Sequence, residues 1–282
     1  MCYIGAHMST GKGFDKAAEA ARSIGATAMQ VFTRNPRGGS ARALKERELE
    51  RLAGFREAGL AVVCHAPYTV NLASGREDVR QFGIETVTAD LVRMQALGAD
   101  GLVVHSGAHT GAGEAAGLAR LCESLGVILP AVPAGGRILL ETMSGSGSEL
   151  GSRLEGLAEV WAHFGRTPAL GLCLDTCHLF AAGYDVRDWA AFKAAFMAHL
   201  PWQIVGCIHM NDSKTPFASH KDRHERLGEG MIGWPAFETI VRAEAASGIP
   251  LIMETPNGLD GWAAEIARLR AVLDEESGQP AL

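Results

Sequence analysis

Six apolar segments of the chain end in a histidine or a carboxylic acid, a combination that suits transition-metal binding. The segments read VVCH, LVVH, ILLE, LCLD, GCIH and LIME, and they end at His65, His105, Glu141, Asp175, His209 and Glu254. Imidazole with carboxylate favours zinc and also accepts manganese or iron. Burying so many of these groups in one apolar place is costly unless cations pair them. The pattern therefore predicts a metal site.

Three further residues extend this set. His178 lies three residues beyond Asp175, and the segment HKDRHE adds Asp222 and His224. The remaining side chains with similar chemistry lack such a placement: we expect four histidines to be solvated and the cysteines to be reduced core residues. Those histidines are His109, His163, His199 and His220.

A glycine-rich segment, SGSGSELG, imitates a dinucleotide-binding loop because it follows an apolar run and precedes a predicted helix. Its spacing is GxGxxxG, and no acidic residue ends the next apolar run at the usual distance. We therefore expect no nucleotide cofactor. A turn that lets a ligand or a DNA backbone approach closely is the preferred interpretation.

Eight short apolar runs alternate with longer amphipathic stretches along the whole chain. Each run is continuous, as in parallel strands that are buried on both faces. The runs are Tyr3–His7, Ala28–Thr33, Ala61–His65, Gly101–His105, Arg137–Glu141, Leu170–Asp175, Ile204–His209 and Pro250–Glu254. The predicted helices are Gly13–Ser23, Ala41–Ala58, Asp78–Leu97, Glu114–Leu129, Glu149–Phe164, Asp188–His199, Trp234–Ala246 and Leu259–Leu273.

Eight strands, each followed by a helix, predict an α/β fold of the (β/α)8 TIM-barrel type, with residues 1–282 forming one catalytic domain. An open, doubly wound sheet is the alternative. In a barrel the carboxyl ends of the strands surround one mouth, so the predicted ligands converge there. The longest non-periodic stretch, Met210–Gly233, is too long for a passive connection and is expected to be functional.

Composition limits the possible partners. The 282 residues are 47% hydrophobic and 21% charged, which is typical of a globular protein, and no apolar run approaches the roughly 20 residues that span a bilayer. We therefore expect a soluble, cytoplasmic protein without a membrane partner. The net charge of −6 excludes bulk attraction to a polyanion, so any nucleic acid must meet a local basic patch.

Several longer segments carry a resemblance to a known family. YIGAHMS, VFTRNPR, HAPYTVNLAS, VVHSGAH, LDTCHLFAAGYD, HMNDSK, DRHERLGEG and METP, in this order, resemble the endonuclease IV family of abasic-site DNA repair enzymes. The resemblance covers nearly the whole chain. It implies a TIM barrel that holds three zinc ions, with manganese as a possible occupant of the third position.

The resemblance also implies a role for each ligand. His65, His105 and Glu141 bind the first metal, and Glu141 bridges to a second metal that is held by Asp175, His209 and Glu254. The third metal is bound by His178, Asp222 and His224. Glu141 and Glu254 are the expected catalytic residues, because they orient the attacking group while the metals stabilise the attacking and leaving oxygens.

DNA contacts are expected from three loops. Arg34, Asn35 and Arg37 lie in a loop that enters the minor groove in this family, and Tyr68 fills the stack that a flipped abasic nucleotide leaves. The chain has Thr69 and Gly39 where the family often has bulky residues, so a smaller wedge is expected. Further phosphate contacts are expected from bases of the long loop: Lys214, Lys221, Arg223 and Arg226.

The implied function is hydrolysis of the phosphodiester 5′ to abasic sites in double-stranded DNA during base excision repair. The reaction leaves a 3′-hydroxyl, trimming of blocked 3′ ends accompanies it, and a monomer is expected. One alternative is a metal-dependent sugar or keto-acid isomerase, which needs no third metal and is expected to use a lysine at a strand end. A structural zinc module is another, but such sites favour cysteine ligands.

Overall fold

The computed structural model describes residues 2–277 and contains a closed barrel of eight parallel strands. The last of these strands pairs with the first, so no edge of the barrel is left open. The fold predicted from the sequence is therefore confirmed. The barrel strands are β1 (Ile4–His7), β2 (Ala28–Phe32), β3 (Ala61–His65), β4 (Gly101–His105), β5 (Arg137–Glu141), β6 (Leu170–Asp175), β7 (Val205–His209) and β10 (Leu251–Met253).

Helices surround the barrel. They are α1 (Phe14–Ser23), α2 (Glu46–Glu57), α3 (Glu77–Leu97), α4 (Glu114–Ile128), α5 (Leu154–His163), α6 (Thr176–Ala182), α7 (Trp189–Met197), α8 (Trp234–Glu244) and α9 (Leu259–Ser277). Two short 3-10 turns, Leu129–Ala131 and Trp202–Ile204, complete the set. Among residues 2–277, no helix has the length and apolar content needed to cross a bilayer.

Two helices begin later than the sequence predicts. The start of α2 was expected at Ala41, but the carbonyl of Arg42 accepts a hydrogen bond from the Arg93 side chain (3.0 Å) instead of an amide of a helical turn. The start of α5 was expected at Glu149, but Gly151 has φ +84°, which interrupts any helix. In both cases a tertiary contact or a glycine turn overrides the amphipathic pattern.

Helix α6 was not predicted from the sequence. Its seven residues are too few to show helical periodicity. The carboxylate of Asp175 caps it by accepting a hydrogen bond from the His178 amide (2.8 Å), and Gly183, at φ +102°, ends it. This short helix places His178 next to the end of β6.

The long loop after β7 contains a two-stranded hairpin of β8 (Asp212–Ser213) and β9 (His224–Glu225). The buried carboxylate of Asp212 accepts hydrogen bonds from four backbone amides of the LGEG segment and its continuation. The donors are Gly228 (2.9 Å), Gly230 (3.1 Å), Ile232 (2.9 Å) and Gly233 (3.2 Å). These bonds anchor the segment after β9 to β8, and the pairing of Ser213 with His224 positions the strand that carries His224.

The core has two parts. The larger part lies between the sheet and the helices, and the smaller part fills the barrel interior. Alternate residues of each strand point into these two parts, as the period of a strand requires. The buried interior residues are Ala28, Val63, Val103, Leu139, Cys173, Cys207 and Ile252. This packed floor supports the polar residues at the mouth from below.

Candidate metal centre

The structure brings His65, His105 and Glu141 together at the carboxyl ends of three neighbouring strands, β3, β4 and β5. One carboxylate oxygen of Glu141 lies 3.2 Å from His65 Nε2 and 3.4 Å from His105 Nε2. All three ligand atoms lie within 4.8 Å of one another. This spacing lets the three side chains bind one ion.

Glu141 also belongs to a second group, which contains Asp175, His209 and Glu254. Its other oxygen lies 3.0 Å from His209 Nδ1, and that nitrogen is 3.7 Å from Asp175 and 3.3 Å from Glu254. Because the two oxygens of Glu141 face different groups, this carboxylate is placed to bridge two ions.

His178, Asp222 and His224 form a third group beside the second one. Asp222 Oδ1 lies 3.3 Å from the Nε2 atoms of both histidines. Both Nε2 atoms are buried and have no hydrogen-bond partner. A buried imidazole nitrogen without a partner is costly, and a metal ion would satisfy both of them.

Hydrogen bonds to backbone carbonyls hold the Nδ1 atoms of two of these histidine rings. His65 Nδ1 donates to the carbonyl of Ala66 (2.6 Å), and His178 Nδ1 donates to the carbonyl of Thr142 (2.8 Å). These bonds fix the tautomer and leave Nε2 free to accept a metal. The donor chemistry and the tautomers therefore fit metal ions.

Charge balance supports the same conclusion. Burial opposes protonation of His209, but the charges of Glu254 and Glu141 outweigh it and raise its pKa well above the usual value. Burial likewise disfavours the charged form of Glu141, yet His209 holds the pKa of this carboxyl well below its usual range. Without metal, protons on the imidazoles balance the carboxylates, and cations at the same place would take over that role.

His105 differs from these rings. Burial lowers its pKa to about 4, and the nearby charge of Glu141 offsets this effect only in part. The ring is therefore neutral at physiological pH, which is the form that binds a metal.

Two residues of the site were missed by the sequence analysis. His7 Nδ1 donates to Glu254 Oε1 (2.9 Å), and Gln30 Nε2 donates to the same oxygen (2.7 Å). Gln30 Oε1 also accepts from His209 Nε2 (2.8 Å). His7 carries the same signal as the six ligands, because it ends β1. Gln30 lies inside β2, where no sequence rule points to function.

Asn211 connects two of the predicted ligands. Its side-chain amide donates to Asp175 Oδ2 (2.7 Å), and its carbonyl oxygen accepts from the backbone amide of Glu254 (2.8 Å). The side chain is fully buried. It therefore ties the ends of β6 and β10 together.

The loop after β2 differs from the expectation at Arg34. This side chain is only 8% exposed, and its Nε donates to the buried carboxylate of Asp90 (2.7 Å). The charge of Arg34 is already paired with that of Asp90, so we assign this side chain a role in stabilising the loop. Asn35 and Arg37 are exposed on the same loop, and the Asn35 side chain accepts from the Arg37 amide (3.0 Å).

Tyr68 stands at the edge of the mouth and is 56% exposed. Its ring packs edge-on against Phe32 (5.0 Å between centroids), and its amide donates to the carbonyl of Pro36 (3.1 Å). Partial burial, together with the nearby carboxylates, raises the pKa of its phenol to about 12. The phenol is therefore neutral, and the ring lies beside the metal ligands His65 and His105.

The structure also explains how the chain accommodates Gly39. A Cβ atom at this position would lie 2.9 Å from the ring of Phe82, a partly exposed residue of α3. An aromatic ring from a different element therefore lies against the loop where the family often has an aromatic residue.

The predicted basic residues of the long loop, Lys214, Lys221, Arg223 and Arg226, are all exposed.

Comparisons with known proteins identify the family of the chain. Residues 18–272 match the model of a family described as xylose isomerase-like TIM barrel. A probable endonuclease 4 of Heliobacterium modesticaldum is 44% identical over 97% of this chain and 100% of its own length. A second one, of Symbiobacterium thermophilum, is 40% identical over 96% of this chain and 99% of its own length.

Solved structures with the same fold include an endonuclease IV. The crystal structure of endonuclease IV from Thermus thermophilus has a TM-score of 0.84 and 31% identity, covering 97% of this chain and 99% of its own. A D-tagatose 3-epimerase-like protein has a TM-score of 0.73 at 21% identity, covering 98% of this chain and 99% of its own, and so shares the fold. The full-length matches at 40% identity and above show that the chain belongs to the endonuclease IV family of metal-dependent AP endonucleases.

Proposed function

We propose that the protein is a zinc-dependent DNA repair endonuclease that hydrolyses the phosphodiester 5′ to abasic sites. The reaction leaves a 3′-hydroxyl, and the same site trims blocked 3′ ends. Residues 1–282 act as one catalytic domain and as a monomer on double-stranded DNA. The observation that carries the proposal is the set of three donor groups at one barrel mouth, two of which share Glu141.

The three groups define three ion sites. His65, His105 and Glu141 hold the first ion, and Glu141, Asp175, His209 and Glu254 hold the second. His178, Asp222 and His224 hold the third, where manganese is an alternative to zinc. Only histidine and carboxylate serve as ligands, which is typical of catalytic rather than structural zinc.

When bound, the ions supply positive charge that activates water and stabilises the charge on the phosphate oxygens. The protein's own contribution is orientation. His7 and Gln30 both donate to one oxygen of Glu254, which leaves its other oxygen facing the cluster. Glu254 and Glu141 orient the attacking water so that a phosphorus–oxygen bond forms opposite the leaving 3′ oxygen, which is released as the 3′-hydroxyl.

Recognition of the lesion uses the exposed residues around the mouth. Tyr68 is placed to enter the duplex and replace the lost stacking when the abasic nucleotide flips toward the cluster. Arg37 and Asn35, on the adjoining loop, enter the minor groove. Phosphate contacts come from the exposed bases of the long loop, namely Lys214, Lys221, Arg223 and Arg226.

The third donor group also separates this proposal from the isomerase alternative. An isomerase acts on a small substrate and needs no third ion. In this chain, by contrast, both the hairpin of β8 and β9 and the buried Asp212 serve to place Asp222 and His224.

The test is cleavage of a duplex that carries a single abasic site, with the products read on a denaturing gel. We expect one cut 5′ to the site and a 3′ end that a DNA polymerase extends without further processing. An end that the polymerase cannot extend, or conversion of a ketose substrate with no DNA cleavage, would contradict the proposal. Glu254→Gln provides the control for a contaminating nuclease.

A further inference from the structure

Two thiols lie side by side inside the barrel, directly below the metal cluster. Cys173 on β6 and Cys207 on β7 are partners in the parallel ladder, and both are completely buried. The other buried residues of the barrel interior are Ala28, Val63, Val103, Leu139 and Ile252. The two cysteines are therefore the only buried members of this layer, among the residues that the structure describes, with a metal-binding atom.

His209 extends the pair to three possible ligands. It follows Cys207 by two residues on β7, so both side chains lie on the same face of the strand. The two sulfurs and a ring nitrogen of His209 lie within 4.8 Å of one another. In a tetrahedral site with metal–sulfur bonds of about 2.3 Å the two sulfurs lie about 3.8 Å apart, so the two side chains approach each other when the ion binds.

We propose that Cys173, Cys207 and His209 form an additional site for soft, thiophilic divalent ions below the catalytic cluster. Thiolates prefer soft metals, whereas the carboxylate-rich cluster above suits harder ones. Binding releases one proton from each thiol to solvent, and the two thiolates neutralise the charge of the ion. Neutrality matters because an uncompensated charge in this apolar layer would be very costly.

The proposed site has a consequence for activity because His209 also belongs to the catalytic cluster. An ion held by the two thiols draws the ring of His209 away from Glu141 and Glu254, which now lie 3.0 Å and 3.3 Å from its Nδ1. Thiophilic ions therefore inhibit the enzyme from inside the barrel. This inhibition rests on the proposed function, whereas binding of the ion does not.

Cadmium is a suitable probe, because thiolate-to-cadmium charge transfer absorbs in the ultraviolet and bonds to nitrogen or oxygen do not give this band. The starting protein is the metal-loaded chain with Cys2→Ala and Cys122→Ala, which removes the two half-buried thiols. We expect a band that saturates at one equivalent of Cd²⁺ with the amplitude of two thiolates. Adding Cys173→Ala should halve the amplitude, and adding Cys207→Ala as well should abolish it.

Two matched controls separate this site from other thiols. Cys177 forms a different group with Asp175 and His224, and Cys64 is buried outside the barrel interior. The band should survive Cys177→Ser and Cys64→Ala. A band that persists without Cys173 and Cys207, that disappears with Cys177→Ser, or that never forms in the starting protein would overturn the proposal. If the double substitution prevents folding, the single Cys173→Ala variant decides, since an unchanged amplitude there contradicts the site.

The readout also distinguishes failure of this site from failure of the proposed function. A band without any abasic-site cleavage by the protein would leave the thiol site standing and reject the nuclease. Cleavage without a band would do the reverse. Where both hold, one equivalent of Cd²⁺ should lower cleavage at least tenfold in the starting protein and leave the variant without Cys173 and Cys207, relative to its own rate without cadmium, unaffected.

Discussion

At the scale of single residues, the site depends on carboxylates whose orientation is fixed by hydrogen bonds from neighbouring side chains. Glu254 accepts hydrogen bonds from His7 and Gln30 on one oxygen and faces His209 with the other. Burial works against its charge, but His209 and His7 hold its pKa far below the usual range. The carboxylate is therefore ionised whenever the protein is folded near neutral pH.

Glu254→Gln tests this carboxylate directly. The amide keeps the shape of the side chain and removes the charge that orients the attacking water. We expect kcat for abasic-site cleavage to fall by a factor of about 10² or more, since losses of this size follow removal of a preorganised electrostatic group. Steady-state kinetics and circular dichroism check the rate and the fold. Parent-like turnover with unchanged metal content would refute the role of Glu254.

Gln30 supports two ligands at once, because it accepts from His209 Nε2 and donates to Glu254 Oε1. Gln30→Leu has a similar size and makes neither bond. We expect metal affinity to fall by about 10- to 100-fold, as is usual when a group that orients a metal ligand is lost. Competition with a chelator measures this affinity. Gln203→Leu, an exposed residue on the opposite face of the barrel, is the control and should bind metal like the parent.

At the scale of elements, strand ends could be predicted and loops could not. The eight runs of the sequence correspond to the eight barrel strands, because a strand that is buried on both faces needs continuous apolar residues. The six ligand-type residues therefore had to meet at one mouth. Helix α6 escaped prediction because seven residues show no period, and its start depends on a cap by Asp175, a residue already singled out as a ligand.

The loops show why the contacts of the predicted DNA-binding residues could not be predicted from the sequence. Arg34 was expected at DNA, yet its partner Asp90 lies 56 residues away on α3, a contact that only the tertiary structure creates. The pairing of Phe82 with Gly39 has the same origin. The local sequence gives the residue types in a loop, but residues distant in sequence decide whether a charged side chain of the loop is already paired.

The expected role of Tyr68 depends on the loop after β3, which places its ring at the edge of the mouth. Tyr68→Ala should weaken binding to an abasic duplex at least tenfold and leave hydrolysis of a small phosphodiester nearly unchanged, since a wedge acts only on stacked DNA. Equilibrium binding and a chromogenic phosphodiester assay measure the two effects. Equal damage on both substrates would place Tyr68 in the catalytic pocket. Phe217→Ala, an exposed aromatic residue on the long loop, is the matched comparison.

At the scale of the whole molecule, a net charge of −6 must coexist with binding to a polyanion. Five exposed bases lie on the loops that follow β2 and β7, at the mouth of the barrel: Arg37, Lys214, Lys221, Arg223 and Arg226. Lys214 and Arg226 each lie 3.8 Å from a glutamate, an exposed pairing that contributes little and yields readily to a phosphate. The electrostatic attraction is therefore local.

This distribution predicts a salt dependence. If four or five of these bases meet phosphates, the logarithm of the binding constant should fall with the logarithm of salt concentration with a slope of about −4. Arg37→Ala should reduce discrimination between abasic and intact duplex more than it changes this slope. A salt series of equilibrium binding with the Glu254→Gln variant measures both quantities. A slope near zero would reject DNA binding through these loops.

We propose that nine side chains from one barrel mouth hold three metal ions. Two of the three groups share Glu141, and the orphaned Nε2 atoms of His178 and His224 lie in the third group. Elemental analysis of the desalted protein, with protein concentration from amino-acid analysis, tests this claim most directly. We expect close to three transition-metal ions per chain. A count of one ion or none would contradict it.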